Sequence, residues 1–135
     1  MDSINKPFIE QRADPYVYRH TDGTYYFTAS VPAYDRIILR RSNTLMGLKD
    51  ASEVTVWKRH KSGKMSEHIW APELHYLDGR WYLYFAAGRQ KNIWKIRPYV
   101  LECMGQDPLR GPWVERGKIQ RAKDDIYSFK AFSLD

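Results

Sequence analysis

The feature that most constrains the fold is an internal repeat with an offset of 56 or 57 residues. The two copies align at Pro15 with Pro72, at Asp22-Gly23 with Asp78-Gly79, and at Trp57 with Trp113. Helical periodicity is almost absent, and short alternating or aromatic runs are separated by turn signals. A repeat of four antiparallel strands with an Asp-Gly turn between the first two is typical of a β-propeller blade, whose faces are buried only by neighbouring blades.

The repeat divides the chain into blades. We predict one blade at about 13–60, a second at about 68–118, and the start of a third at about 126–135. The predicted strands are 15–19, 24–30, 36–41 and 54–59 in the first blade, and 72–76, 80–87, 99–104 and 112–116 in the second. An antiparallel sandwich is the alternative fold, but the repeat argues against it. Since propellers have about four to eight blades, we expect the chain to be part of a larger ring or assembly.

Composition narrows the class of partner and the compartment. The net charge is +6, but the basic residues are scattered and no glycine-rich phosphate loop is present, so we expect no nucleic-acid partner. No apolar run approaches the roughly 20 residues of a membrane span, so we expect no membrane partner. The opening MDSINKPFIEQ does not resemble a signal peptide, and the single cysteine, Cys103, cannot form an internal disulfide. These two observations predict a cytoplasmic location.

Two carboxylates stand at equivalent places. Asp14 lies between Ala13 and Pro15 at the start of the first blade, and Asp135 lies at the start of the predicted third blade. Such positions line the mouth of a propeller's central channel. Two carboxylates flanking a cleft are what glycoside hydrolysis requires, with about 6.5–9.5 Å between them in the inverting mechanism. The alternative for Asp14 is an Asx-type turn whose carboxylate accepts backbone N–H bonds.

Other polar and aromatic residues give weaker signals. Trp70 precedes the second blade and would stack on a sugar if exposed or belong to the core if buried; the sequence leaves both open. Glu73 is a third acid, for which strand alternation favours a structural role. The histidines are scattered without metal-ligand spacing, so we predict no metal site and no cofactor. Cys103 lies in an apolar strand and is predicted to be buried.

Three segments together carry a family resemblance. The segments ADPYVYRHTDGTYYFTAS, HIWAPELHYLDGRWYLYFAA and the closing FSLD resemble glycoside hydrolase family 43, and within it the intracellular exo-acting α-L-arabinofuranosidases. The resemblance extends from about Ala13 to Asp135. It implies an all-β, five-bladed propeller with a deep central pocket. It also implies an inverting glycosidase that removes terminal α-L-arabinofuranose from arabinan or arabino-oligosaccharides, with a β-xylosidase as the alternative specificity.

The resemblance also implies roles for individual residues. Asp14 matches the general base, and Asp135 matches the acid that tunes the pKa of the general acid and orients the sugar. The general acid is a glutamate of a later blade, for which this sequence has no counterpart. Trp70 matches an aromatic wall beside the terminal sugar, and Tyr34 lies where the family lines its entrance. Some members hold a metal ion through ligands from later blades, and we identify no such ligands in this sequence.

Two non-catalytic hypotheses stand beside the enzyme. The chain could be a sugar-binding module that uses Trp70 and Tyr34 as stacking platforms. It could instead be a fragment that self-associates through exposed blade edges, because unpaired strands promote association. In every case we expect little or no hydrolysis by the chain alone, because it lacks a counterpart of the general acid.

Overall fold

Two antiparallel sheets of four strands each make up the residues described in the computed structural model, which are 9–89 and 92–118. The first sheet contains β1 (Ala13–Arg19), β2 (Tyr25–Ser30), β3 (Arg36–Ser42) and β4 (Val54–Lys58), with a short 3-10 helix (Met46–Lys49) between β3 and β4. The second contains β5 (Glu67–Leu77), β6 (Arg80–Arg89), β7 (Asn92–Cys103) and β8 (Trp113–Lys118). Each strand pairs with its neighbours in sequence. The all-β prediction of two four-stranded units is confirmed, while the predicted third unit at 126–135 and Asp135 lie outside the described residues.

The strands differ from the prediction mainly in the length of β5 and β7. β5 begins at Glu67 rather than at Pro72, because the strand continues through two bulges. β7 begins at Asn92 rather than at Tyr99. The charge of the basic run before Tyr99 led to the prediction of a loop. Its backbone instead pairs with β6, where Arg97 lies opposite Ala87. In both cases strand pairing extends beyond the aromatic alternation on which the prediction depended.

A shared hydrophobic core holds the two sheets together. The side chains at its centre are fully buried: Ile37 and Leu39 come from β3, Leu83 and Phe85 from β6, and Leu101 from β7. At the interface the rings of Trp57 and Phe85 lie 5.0 Å apart. Burying each such side chain stabilises the fold by about 1.5–3 kcal/mol. The relative position of the first strands of the two sheets is therefore fixed by packing, and this position matters for the site.

A β-bulge occurs at the same place in the first strand of each sheet. In the first sheet Ala13 pairs with Ser30 and Tyr16 with Thr28, so β1 carries one residue more than β2 between these pairs. The bulge contains Asp14, whose φ is 50°. A left-handed conformation of this kind is unfavourable for a residue other than glycine, by about 1–2 kcal/mol. Packing around the strand must therefore maintain it.

The second sheet repeats the bulge without the acid. Trp70 pairs with Ala86 and Glu73 with Tyr84, which again leaves one extra residue in the first strand. Here the left-handed residue is Ala71, with φ 53°. A proline follows the left-handed residue in both sheets, and a bulge is one of the few places in a sheet that accepts proline. Both copies of the repeat therefore contain the bulge, but only the first copy has an acid in it.

Within residues 9–89 and 92–118 no helix is long and apolar enough to cross a membrane.

Candidate active site

Asp14 presents an exposed carboxylate at the start of β1. The hydroxyl of Ser30 donates a hydrogen bond to Asp14 Oδ2 at 3.0 Å. Among the described residues no donor contacts Asp14 Oδ1. The carboxylate is therefore held through one oxygen, and the other is available to accept a proton. The Asx-turn alternative requires the carboxylate to accept backbone N–H bonds, and within the described part of the chain its hydrogen bond comes from a side chain instead.

Ser30 connects the bulges of the two sheets. Its hydroxyl oxygen accepts a hydrogen bond from the backbone N–H of Ala71 at 2.7 Å, in addition to the bond that it donates to Asp14. Ser30 is 1% exposed. Asp14 of β1 and Ala71 of β5 therefore lie within hydrogen-bond reach of one buried hydroxyl group. The residue before Ala71 is Trp70, so the acid and the tryptophan belong to the same small region.

Three aromatic rings form a cluster next to this region. The ring of Tyr34 lies 6.0 Å from that of His68 and 6.3 Å from that of Trp70, and His68 and Trp70 are also 6.3 Å apart. The Tyr34 backbone carbonyl accepts a hydrogen bond from the N–H of Ile69 at 2.9 Å, which attaches the loop after β2 to β5. All three rings are half-buried. Half-buried rings combine a fixed position with an accessible face, which suits contact with a sugar.

A concave space of about 290 Å³ lies beside the start of β1. It is lined by residues 11–13, 30–32 and Tyr34. Ser30 and Ala13 belong to the bulge pair, so the space borders the backbone that carries Asp14. Small-molecule sites are commonly concave and combine apolar walls with a few polar groups, as this one does.

An ion-pair network holds the start of β1 in place. Glu53 contacts Arg12 through two hydrogen bonds and Arg40 at 3.1 Å. Burial alone would raise the pKa of Glu53 above its ordinary value of 4.5, but hydrogen bonds and charges from the two arginines outweigh burial and lower it. The Glu53 carboxylate is therefore charged at neutral pH and pairs with both arginines. Because Arg12 is two residues from Asp14, the network fixes the backbone on which the acid stands.

We expect Glu53→Gln to lower the free energy of unfolding of the chain by about 2 kcal/mol at pH 7, since hydrogen bonds to charged groups are worth roughly 1.5–3 kcal/mol. The native pKa of Glu53 is lowered, so its stabilisation is complete above the ordinary value near 4.5 and is lost as the pH falls through the lower native pKa. Urea unfolding at pH 7 and at pH 3 should show the variant and the original chain converging in acid.

A suitable control is Glu67→Gln. Glu67 pairs with Arg59 at 3.4 Å in a more exposed position, and such surface pairs contribute about 0–1 kcal/mol. A Glu53→Gln chain as stable at pH 7 as the original would contradict the role of the network.

The structure brings three of the four predicted site residues into one region. Asp14, Trp70 and Tyr34 lie together around the bulges, while Asp135 is outside the described residues. Trp70 is half-buried, between the two alternatives that the sequence left open. Their catalytic and binding roles remain proposals.

Two residues of the region were not predicted. Ser30 has no sequence signal of its own, because the bulge in β1 is what brings it opposite Ala13. His68 precedes Trp70 by two residues and so lies near it along β5. Its Nδ1 is buried and has no hydrogen-bond partner among the described residues.

Residues 9–89 and 92–118 offer neither a cluster of metal ligands nor an activated cysteine. No group of three or more His, Cys, Asp or Glu side chains there could hold a metal ion. Burial raises the pKa of the Cys103 thiol, which disfavours the nucleophilic thiolate. Glu73 contacts His75 at 3.1 Å within the same strand.

Comparisons with known proteins give a consistent result. The model of the family described as glycosyl hydrolases family 43 matches residues 4–135. An extracellular exo-α-(1→5)-L-arabinofuranosidase of Streptomyces avermitilis is 56% identical over 98% of this chain and 26% of its own length. A protein of the same name from Streptomyces chartreusis is 52% identical over 96% of the chain and 38% of its own length.

A solved structure shows the same arrangement of strands. The crystal structure of an α-L-arabinofuranosidase from Lactobacillus brevis superposes with a TM-score of 0.78 at 51% identity, covering 88% of this chain and 39% of that one. The chain thus spans well under half the length of these relatives. The relatives are named as enzymes, so they do not favour the non-catalytic sugar-binding and self-association hypotheses.

The predicted cytoplasmic location is wrong. Both Streptomyces relatives are named as extracellular enzymes. The prediction depended on the opening MDSINKPFIEQ and on the single cysteine, and Cys103 is fully buried in a hydrophobic core that holds two sheets together. A buried thiol of this kind is compatible with either compartment, since a core of this size needs no disulfide.

Proposed function

The chain belongs to glycosyl hydrolases family 43, and from this premise we propose that it supplies part of the catalytic propeller of an exo-acting α-L-arabinofuranosidase. The substrate class is arabinan or arabino-oligosaccharides, from which terminal α-L-arabinofuranose is removed. The observation that carries the proposal is the position of Asp14. Its carboxylate is held by Ser30 through one oxygen, is exposed at a strained bulge, and lies beside an aromatic cluster.

In the proposed reaction Asp14 is the general base. Its free oxygen, Oδ1, takes a proton from a water molecule as the water oxygen forms a bond to the anomeric carbon of the sugar. The bond from that carbon to the glycosidic oxygen breaks, and a general acid protonates the leaving oxygen, so the configuration inverts. The general acid lies outside the described residues. Asp135 is proposed to tune the pKa of this acid and to orient the sugar.

The aromatic cluster is proposed to bind the terminal sugar. Trp70 provides the wall beside the ring, and Tyr34 lines the entrance. This assignment is supported by their half-buried state and by the connection of Trp70, through Ala71 and Ser30, to the acid. A rigid aromatic wall beside the general base would hold the anomeric carbon close to the attacking water, and such orientation contributes much of the catalytic effect.

A chimera tests the proposal. In it this chain replaces the matching segment of the Streptomyces avermitilis relative. We expect the chimera to hydrolyse 4-nitrophenyl α-L-arabinofuranoside with a kcat/KM roughly 100-fold above that for the β-D-xyloside, the size of discrimination that pocket contacts supply. The unaltered relative is the positive control. Equal or greater activity on the xyloside would contradict the proposed substrate class.

A further inference from the structure

We infer that Ser30 is the positioning residue of the general base. Its hydroxyl donates a hydrogen bond to Asp14, and the hydroxyl oxygen is itself held by the backbone N–H of Ala71 in the second sheet. The inference rests on the proposed role of Asp14. Ser30 itself does not contact the substrate in this proposal. It determines which oxygen of the carboxylate faces the protein and which one faces the attacking water.

The direction of the two hydrogen bonds is fixed by chemistry. The backbone N–H of Ala71 can only donate, so the Ser30 oxygen accepts at this contact of 2.7 Å. The single hydroxyl hydrogen of Ser30 is then free to point at Asp14 Oδ2, at 3.0 Å. Ser30 is 1% exposed, so water does not compete for its hydroxyl group. The result is a donor directed at one chosen oxygen of the carboxylate.

The repeat provides an internal control for this role. Ala71 stands in the second bulge where Asp14 stands in the first, and Ala86 pairs with Trp70 as Ser30 pairs with Ala13. The second bulge has nearly the same backbone, with φ 53° at Ala71 against 50° at Asp14. The bulge therefore forms without a hydroxyl group on the second strand. The hydroxyl and the acid are present together in the first copy and absent together in the second, so a hydroxyl at this place accompanies the acid and is not needed to form the bulge of its own sheet.

The Asp14 side chain is exposed, so little besides a hydrogen bond can hold its carboxylate in one orientation. Within the described part of the chain Ser30 supplies the hydrogen bond to its side chain, and without it the carboxylate would rotate among several conformers. General-base catalysis depends on holding the accepting oxygen near the attacking water, and an error of about 1 Å can cost roughly 100-fold in rate. The Ser30 hydroxyl is itself held by the N–H of Ala71 in β5, so the orientation of Asp14 also depends on correct packing of the second sheet.

The kinetic test uses Ser30→Ala in the chimera. We expect kcat on the nitrophenyl arabinofuranoside to fall by about 10–100-fold, because the base loses its orientation, while KM stays within about twofold, because the sugar contacts remain. The matched control is Thr28→Val. Thr28 lies on the same strand and is also fully buried, and its hydroxyl donates to the Ile38 carbonyl at 2.7 Å, away from Asp14. This control should lose stability and keep its kcat.

A double-mutant cycle separates positioning from general damage. If Ser30 acts only through Asp14, then Ser30→Ala adds no further loss to the residual rate of Asp14→Ala. A full additional loss in the double variant would overturn the inference. So would a Ser30→Ala enzyme with unchanged kcat, provided that Asp14→Ala is inactive. Full activity of Asp14→Ala would instead overturn the proposed function of the acid.

A measurement on the 135-residue chain itself needs no activity. Three-bond Hα–Hβ couplings report the side-chain conformers of Asp14 by NMR. We expect couplings of a single conformer in the original chain, and averaged values in Ser30→Ala. Ser30→Ala should fold, since Ala86 occupies the equivalent place in the second sheet. An Asp14 side chain that keeps one conformer without the Ser30 hydroxyl group would overturn the inference.

Discussion

Replacement of Asp14 by alanine in the chimera is expected to lower kcat by about 10²–10⁴-fold, the range that general acid–base catalysis contributes. KM should change little, since the proposed sugar contacts come from Trp70 and Tyr34. Alanine already occupies the equivalent left-handed bulge position as Ala71, so the substitution leaves the backbone intact. The loss should therefore reflect chemistry and not folding. Steady-state kinetics on the nitrophenyl arabinofuranoside, together with thermal unfolding, measures both.

The control for this experiment is Asp22→Ala. Asp22 is an exposed acid of the same sheet, in the Asp-Gly turn, where its carboxylate accepts a hydrogen bond from the N–H of Thr24 at 2.9 Å. Removing it should have only a small effect on stability, because the side chain is exposed, and should leave kcat unchanged. Comparable kcat values for Asp14→Ala and the original chimera would show that the base is another residue.

The order of the strands could be predicted because its signals are local. Short alternating or aromatic runs indicate the strands, and the Asp-Gly pairs at 22–23 and 78–79 indicate the tight turns. The bulges could not be predicted in the same way, because a bulge depends on which residue of the neighbouring strand lies opposite. That Asp14 would adopt a left-handed conformation follows from the pairing of Ala13 with Ser30, seventeen residues along the chain.

The site was predicted to a different extent for each residue. Asp14 was singled out because it stands at the start of a predicted blade and matches the general base of the family that the chain resembles. Ser30 carries no such signal, since serine at the end of a strand is common. Its role depends on two contacts, one within its own sheet and one with Ala71 of the second sheet. The second contact exists only once the sheets are packed, and this packing is not visible as a sequence motif.

The 135-residue chain alone is expected to hydrolyse the arabinofuranoside at least about 10³-fold more slowly than the chimera, as judged by kcat/KM. The proposed base is present, the general acid is proposed to lie outside the described residues, and each such group contributes roughly 10²–10⁴-fold. The chain spans only 26% of the length of the Streptomyces avermitilis relative. The measurement compares equal concentrations of folded chain and chimera on the same substrate.

Adding the remaining part of the relative as a separate polypeptide should restore activity to the chain. The edge strands of the two sheets favour such pairing, because unpaired strands bind other strands. The decisive control is the Asp14→Ala chain, which should associate with the same partner, as followed by size-exclusion chromatography, and recover no activity. Association without recovery by the original chain would count against the base assignment. Activity of the original chain alone that disappears in Asp14→Ala would instead show that the chain, or an assembly of its own copies, supplies the general acid.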